Sequence, residues 1–172
     1  MAQRISLRDY QRELAERLRH ADSARAASKL GVQVGEQNWL IDLAEAGEVM
    51  PVPPITPVPL TRSWFRGVAN VRGNLYSVVD FAEFLGVGAS RGGEQQRLVL
   101  LGERFRSAAA LLVDRSLGLR NPAQLRACEP AGAAAWLRGE YEDEIGARWS
   151  ELDVGALVRD AAFLAVGNQT DR

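Results

Sequence analysis

One pattern is written twice in this chain. The stretch WFRGVANVRGNLYSVVDF runs from Trp64 to Phe81, and WLRGEYEDEIGARWSELDV runs from Trp136 to Val154. The two tryptophans are 72 positions apart (136 − 64), and from them Arg66 meets Arg138 and Gly67 meets Gly139. After one extra residue in the second copy, Gly73 meets Gly146, Tyr76-Ser77 meets Trp149-Ser150, and Val79-Asp80 meets Leu152-Asp153. Phe84-Leu85 then meets Leu157-Val158. A chain of 172 residues is long enough for one domain, or for two small subdomains that share a core. The repeat selects the second arrangement.

The chemistry of the shared skeleton is legible. Glycine marks a turn or a close backbone approach. The aromatic-Ser-x-apolar-Asp segment alternates as a strand does and ends on a residue that caps helices. Asp80 and Asp153 are therefore expected to accept hydrogen bonds from free amides at a helix N-terminus. Asp80 with Glu83 three residues later reads as a capping box. Each copy specifies hairpin, cap and short helix, so the fold class is mainly β with peripheral helices.

The rest of the chain divides by hydrophobic period. Residues 6–29 read as a helix, with Ser6 and Asp9 at its start, Leu7, Tyr10, Leu14, Leu18 and Ala21 on one face, and Gly31 as its stop. That stripe either packs on the protein's own body or holds a partner or a second copy. Residues 1–31 are thus a helical extension, and residues 32–172 the main domain. From Val32 the period is two: Val32 and Val34, a turn at GEQN, then Trp39, Ile41 and Leu43. PVPPITPVPL (51–60) holds five of the seven prolines, which excludes helix and central strand. Its interleaved Val52, Ile55, Val58 and Leu60 favour an ordered extended crossing over a linker or a peptide ligand. RLVLL and SAAALLV read as strands around the turn GERFR, although AALL alone is also compatible with helix. AGAAAWLRG is open between helix and loop, and Val154 to about Ala162 reads as one helix.

Composition excludes some functions. The 21 basic and 22 acidic residues nearly cancel, which argues against a broad electrostatic grip on nucleic acid. The single Cys128 makes no internal disulfide and fits a reducing compartment. The N-terminus has the charge but not the apolar run of a secretory signal. No stretch approaches the roughly 18 apolar residues of a membrane span, so a cytoplasmic protein without direct membrane insertion is expected.

Residues for catalysis are scarce. The one histidine, His20, lies off the apolar stripe of the N-terminal helix and reads as solvated; the sharper alternative is a phospho-accepting residue in a phosphotransfer or kinase-associated domain. Cys128 has no histidine partner for nucleophilic chemistry. EYEDE (140–144) lacks the spacing of a calcium loop and reads as a charged hairpin. Asp80 and Asp153 form a conceivable carboxylate pair, but capping accounts for them. GVGASRGG opens no convincing helix, so no phosphate or dinucleotide loop is present. No catalytic residue, metal or cofactor is expected.

The segment GVANVRGNLYSVVDFAEFLG resembles the signature of CheW-like coupling proteins: G-V-x-N-x-R-G, a strand ending V-x-D, and a short helix. The likeness runs from about Val32 to the C-terminus, and the wording around RSWFRGVANVRGNLYSVVDF is most similar to the PilI branch, the coupling proteins of type IV pilus chemosensory systems. The resemblance implies two SH3-like five-stranded barrels around a shared core. It implies an adaptor that links the cytoplasmic tip of a methyl-accepting chemoreceptor to the regulatory domain of a CheA-type histidine kinase, so controlling twitching motility. Receptor arrays would then bring it to the inner membrane face or the cell pole. By motif position the receptor contacts are Ala46, Arg66, Gly67, Val71 and Arg72, and Arg72 pairs with Glu48. Ala46 is small where the family often carries a larger apolar residue, and the N-terminal helix is an addition to the family's fold.

Overall fold

The computed structural model describes residues 28–130 and 132–167. The expected helix of residues 6–29 and His20 lie outside the described residues, except at the helix's end. There the strand β1 (Lys29–Val34) is already under way, so Gly31 sits inside a strand and stops no helix.

Twelve strands form two six-stranded sheets among the described residues. The first half of the chain supplies β1, β2 (Gln37–Asp42), β3 (Ala46–Pro51), β4 (Ile55–Thr56), β5 (Phe65–Val71), β6 (Asn74–Asp80) and helix α1 (Phe81–Phe84). The second half supplies β7 (Arg97–Leu101), β8 (Ala109–Val113), β9 (Arg115–Arg120), β10 (Arg126–Cys128), β11 (Leu137–Glu142), β12 (Arg148–Leu152) and α2 (Val154–Leu157), followed by α3 (Ala161–Leu164). Barrel A has the order β10-β11-β12-β2-β1-β9, and barrel B the order β4-β5-β6-β8-β7-β3. The two orders match strand for strand, and each barrel takes its central hairpin from the other half of the chain. In B, β6 runs parallel to β8 with Val79 opposite Leu111; in A, β12 runs parallel to β2 with Leu152 opposite Ile41.

Connection length forces this exchange. Three residues join β2 to β3, and one residue, Asp114, joins β8 to β9. The third strand of each half pairs antiparallel with the first strand of the other half's hairpin, β3 with β7 and β9 with β1. Beside its own hairpin it would lie parallel to the strand it has just left. The connector would then retrace a six-residue strand, about 20 Å, where three extended residues reach only about 10 Å. The chain must cross to the other barrel.

The repeat is exact in its backbone bonds. The Asp80 amide donates to the Trp64 carbonyl and the Asp153 amide to the Trp136 carbonyl, both at 2.8 Å. Both first strands carry a bulge at the arginine, between Phe65 and Gly67 and between Leu137 and Gly139. Asp80 Oδ1 accepts from the Glu83 amide at 3.3 Å, and Asp153 Oδ1 from the Ala156 amide at 2.8 Å. The capping box is only half formed, because the Asp80 amide is already used by Trp64.

One core lies between the barrels. Val32, Val34, Trp39 and Ile41 of barrel A meet Val79, Val99, Leu111 and Val113 of barrel B, with Phe81 and Leu157 of α1 and α2. Phe84, Trp64, Trp136 and Phe163 close it by edge, tilted and stacked contacts. Barrel B also has an apolar interior of its own, including Val78, Leu98 and Leu112. All five residues of β8 are buried because both of its faces are covered.

Two expectations change in detail, while AALL is strand, as the strand reading of SAAALLV has it. Each barrel has six strands rather than five, the sixth being the short β4 or β10. The strands β3, β9 and β10 carry no clear alternation and escape a sequence reading. The helix expected from Val154 to Ala162 is two helices, because Asp160 caps a new one by accepting from the Ala162 and Phe163 amides.

Candidate functional site

The turn between β5 and β6 consists of Arg72 and Gly73, with φ of 52° and 89°. Two successive positive φ values match the right-handed twist of a hairpin, but for an arginine this conformation is strained. Asn70 Oδ1 accepts from the Gly73 amide at 2.8 Å and holds the turn. Arg72 Nη1 and Nη2 donate to Glu48 Oε2 and Oε1, each at 2.8 Å, so the planar fork meets the carboxylate at two points. Beside this bridge lies an open groove of about 310 Å³. Val71, Tyr76 and Leu101 contribute apolar lining, and Glu48, Arg72 and Glu103 charged groups. It continues past the exposed Leu75 to Arg106.

The structure gathers only some of the expected contact residues here. Val71 is buried in the groove's wall and Arg72 is exposed at its rim, whereas Ala46 on β3, paired with Leu101 of β7, is buried in the core between the barrels and does not line the groove. Arg66 and Gly67 lie at the far end of β5, about 20 Å away by strand rise. Gly67 is buried with φ 125°, and a Cβ there would stand 2.0 Å from the Thr56 carbonyl oxygen. Glycine is required because the proline-rich crossing passes directly over it. Arg66 is exposed.

Its counterpart Arg138 stands in a cluster that the sequence reading missed. Arg138 Nη2 donates to Glu45 Oε1 at 2.7 Å and approaches Asp153 Oδ2 at 3.1 Å, while Nη1 reaches Glu151 Oε1 at 3.4 Å. Arg104 also meets Glu45 at 3.0 Å, Lys29 Nζ donates to Glu151 at 2.8 Å, and the Val154 amide donates to Glu45 Oε2 at 3.1 Å. Three cations thus meet three carboxylates where the barrels join. Burial by itself would lower the Arg138 pKa, but the hydrogen bonds and charges of Glu45 and Asp153 outweigh it and hold the guanidinium charged. Burial raises the Asp153 pKa, yet the Ala156 amide and Arg138 bring it below the usual aspartate value. Burial, with the bond and charge of Glu151, pushes the Tyr141 phenol up. The only hint in the sequence was that Arg138 repeats Arg66.

Asp80 is buried and held by the Ser90 amide and by Ser90 Oγ at 2.7 Å, so it is no free carboxylate for catalysis. Asp143 of the EYEDE segment builds its own turn, accepting from the Ile145 and Ala147 amides and from Trp149 Nε1. Among the described residues no group of His, Cys, Asp and Glu side chains is arranged to hold a metal. None of the described helices is long and apolar enough to cross a membrane.

The profile of the CheW-like domain matches residues 29–162. The chain belongs to the CheW-like domain family. Protein PilI of Pseudomonas aeruginosa is 34% identical over 100 residues, 58% of this chain and 56% of that one. Chemotaxis protein CheW of Thermotoga maritima is 30% identical over 99 residues, 58% of this chain and 64% of its own length. Protein FrzA of Myxococcus xanthus is 37% identical over 88 residues, covering 51% and 54%. The matched stretch therefore spans less than two thirds of each of these relatives. The scaffolding protein TtCheW of Thermoanaerobacter tengcongensis superposes with a TM-score of 0.65 over 80% of this chain and 95% of its own, at 17% identity. That likeness fixes the double-barrel fold.

Proposed function

We propose that this CheW-like protein is a cytoplasmic adaptor that couples a chemoreceptor tip to a CheA-type histidine kinase, in the chemosensory control of type IV pilus twitching motility. It carries no catalytic step of its own. The observation that carries the reading is the groove beside the bridged hairpin, an apolar floor with charged rims on a preformed β surface. A receptor tip, a helical hairpin, is the kind of partner such a surface takes by laying an apolar helix face into it. Among the expected contacts, Val71 lines the groove, Arg72 with its structural partner Glu48 forms its rim, Ala46 packs in the core behind it, Gly67 holds the crossing, and Arg66 offers a cation at the far end of the strand. The similarity to Protein PilI supports the pilus branch. Receptor binding would place the adaptor at the inner membrane face or the cell pole.

The test is reconstitution of the protein with a receptor cytoplasmic fragment and the kinase, followed by titration of binding and kinase autophosphorylation. Receptor control of the kinase should need the adaptor, and Leu75→Asp in the groove should weaken receptor binding at least 10-fold while leaving the fold cooperative. His20→Ala should retain full coupling. Loss of coupling in that variant with normal binding of both partners would instead favour phosphotransfer.

A further inference from the structure

Two edges of the groove come from neighbouring strands whose ladder is interrupted beside it. One wall is Gly47 and Glu48 on β3, and the other is Leu101 and Glu103 on β7 and the turn after it. Ladder pairing between β3 and β7 is regular from Val49 onward, but a bulge interrupts it between Ala46 and Val49, at the groove. Ala46 still pairs with Leu101 on the far side of the bulge, and a second contact reinforces that end.

Glu45 supplies that contact. Its carbonyl accepts from the Gly102 amide at 2.9 Å, and Gly102 comes so close that a Cβ on it would lie 3.0 Å from that oxygen. Its carboxylate, on a side chain only 8% exposed, meets Arg104 from the second wall's turn. One residue therefore joins both walls through main chain and side chain. The same carboxylate also accepts from Arg138 on β11 and from the Val154 amide of α2, both in barrel A. Arg104 stacks over Phe105 at 4.7 Å, and Phe105 packs against Gly155 of α2. The position of the groove's walls in barrel B is thus referenced to barrel A.

We propose that Glu45 is a positioning residue that sets the width of the groove, and that Arg138 is the point through which barrel A acts on it. The proposal rests on the reading of the groove as the partner site. Glu45 need not touch the partner: it acts by holding Glu48 and Glu103 at a fixed separation. A change at the surface of barrel A that draws Arg138 away from Glu45 would release the β3 wall and alter affinity in barrel B, which gives an adaptor with two partners a route between them. Arg138 is suited to this because it is one-third exposed and its fork is shared among Glu45, Asp153 and Glu151, so its contacts can be redistributed without burying a lone charge.

The experiment places nitroxide labels at Val49→Cys and Arg106→Cys in a Cys128→Ala background and reads their distance distribution in the full chain. The unaltered groove should give one narrow distribution. Glu45→Gln and Arg138→Gln should each broaden it or shift it by at least 2 Å, and each should raise the Kd for the receptor fragment at least 5-fold. If Glu45→Gln does not fold, Arg138→Gln, at the more exposed end, tests the same clamp. A folded variant with an unchanged distribution overturns the proposal. A changed distribution with unchanged receptor affinity supports the positioning role and sinks the groove as the partner site.

Discussion

Arg72 and Glu48, 24 residues apart in sequence, meet through two parallel hydrogen bonds of 2.8 Å that tie the proline-rich crossing's strand to the signature hairpin. The bridge lies open to solvent, with side-chain exposures of 75% and 36%. Exposure limits what it contributes to stability to about 0–1 kcal/mol, and Arg72 also carries the strain of a positive φ. The coupling energy of an Arg72→Ala, Glu48→Ala cycle should therefore stay below about 1 kcal/mol in urea melts. Arg72→Gly should be less harmful than Arg72→Ala, since glycine relieves the strain. A coupling of 3 kcal/mol would show the pair to be desolvated, contrary to its geometry.

Gly67 and Gly73 both have positive φ in the same hairpin, yet their surroundings differ. A Cβ on Gly67 strikes the Thr56 carbonyl, whereas nothing lies within 4 Å of one on Gly73. Gly67→Ala should cost roughly 3 kcal/mol or more, because the crossing must move. Gly73→Ala should cost about 1 kcal/mol, from backbone strain alone. Thermal melts of the two variants give the ordering, and equal losses would contradict it.

Lys29 and Glu151 are paired inside barrel A, with 13% and 2% side-chain exposure. By strand register, Leu98 and Val78 hold the same two places in barrel B, both fully buried. Glu151→Val alone leaves a lysine with its partner gone and should cost roughly 3 kcal/mol. Lys29→Leu alone should cost less, because Arg138 still reaches Glu151. The double change, which copies barrel B, should recover most of the loss. Denaturant melts of the four proteins decide, and additive losses would show that the residues do not act as a pair.

Asp153 has a lowered pKa in the folded protein. The stability it contributes is complete above the unfolded aspartate pKa of about 3.9 and is lost as the pH falls through the lower folded value. Asp153→Asn retains a capping oxygen but loses the charge, so it should flatten the acid limb of the stability curve below about pH 4 relative to the unaltered chain. Unfolding free energy measured from pH 7 to pH 2.5 tests this; parallel curves would mean that Asp153 is not a contributor.

The sequence by itself determined the repeated unit. Tryptophan, arginine, glycine and aspartate at matching spacings specify local events, namely bulge, turn, strand end and cap, and these are decided by a few neighbouring residues. The Arg72–Glu48 pair was within reach of the sequence only through family resemblance. The exchange of hairpins between barrels was not legible, because it follows from connector lengths measured against the sheet. Nor were β3, β9 and β10, whose pairing is set by partners far along the chain rather than by their own alternation. The charged second copy is explained only in three dimensions. Arg138 and Glu151 look like surface residues in a linear reading, but the fold brings Glu45 and Lys29 from more than 90 positions away to neutralise them. Electrostatic pairing of buried groups depends on distance in space, which tertiary structure alone decides.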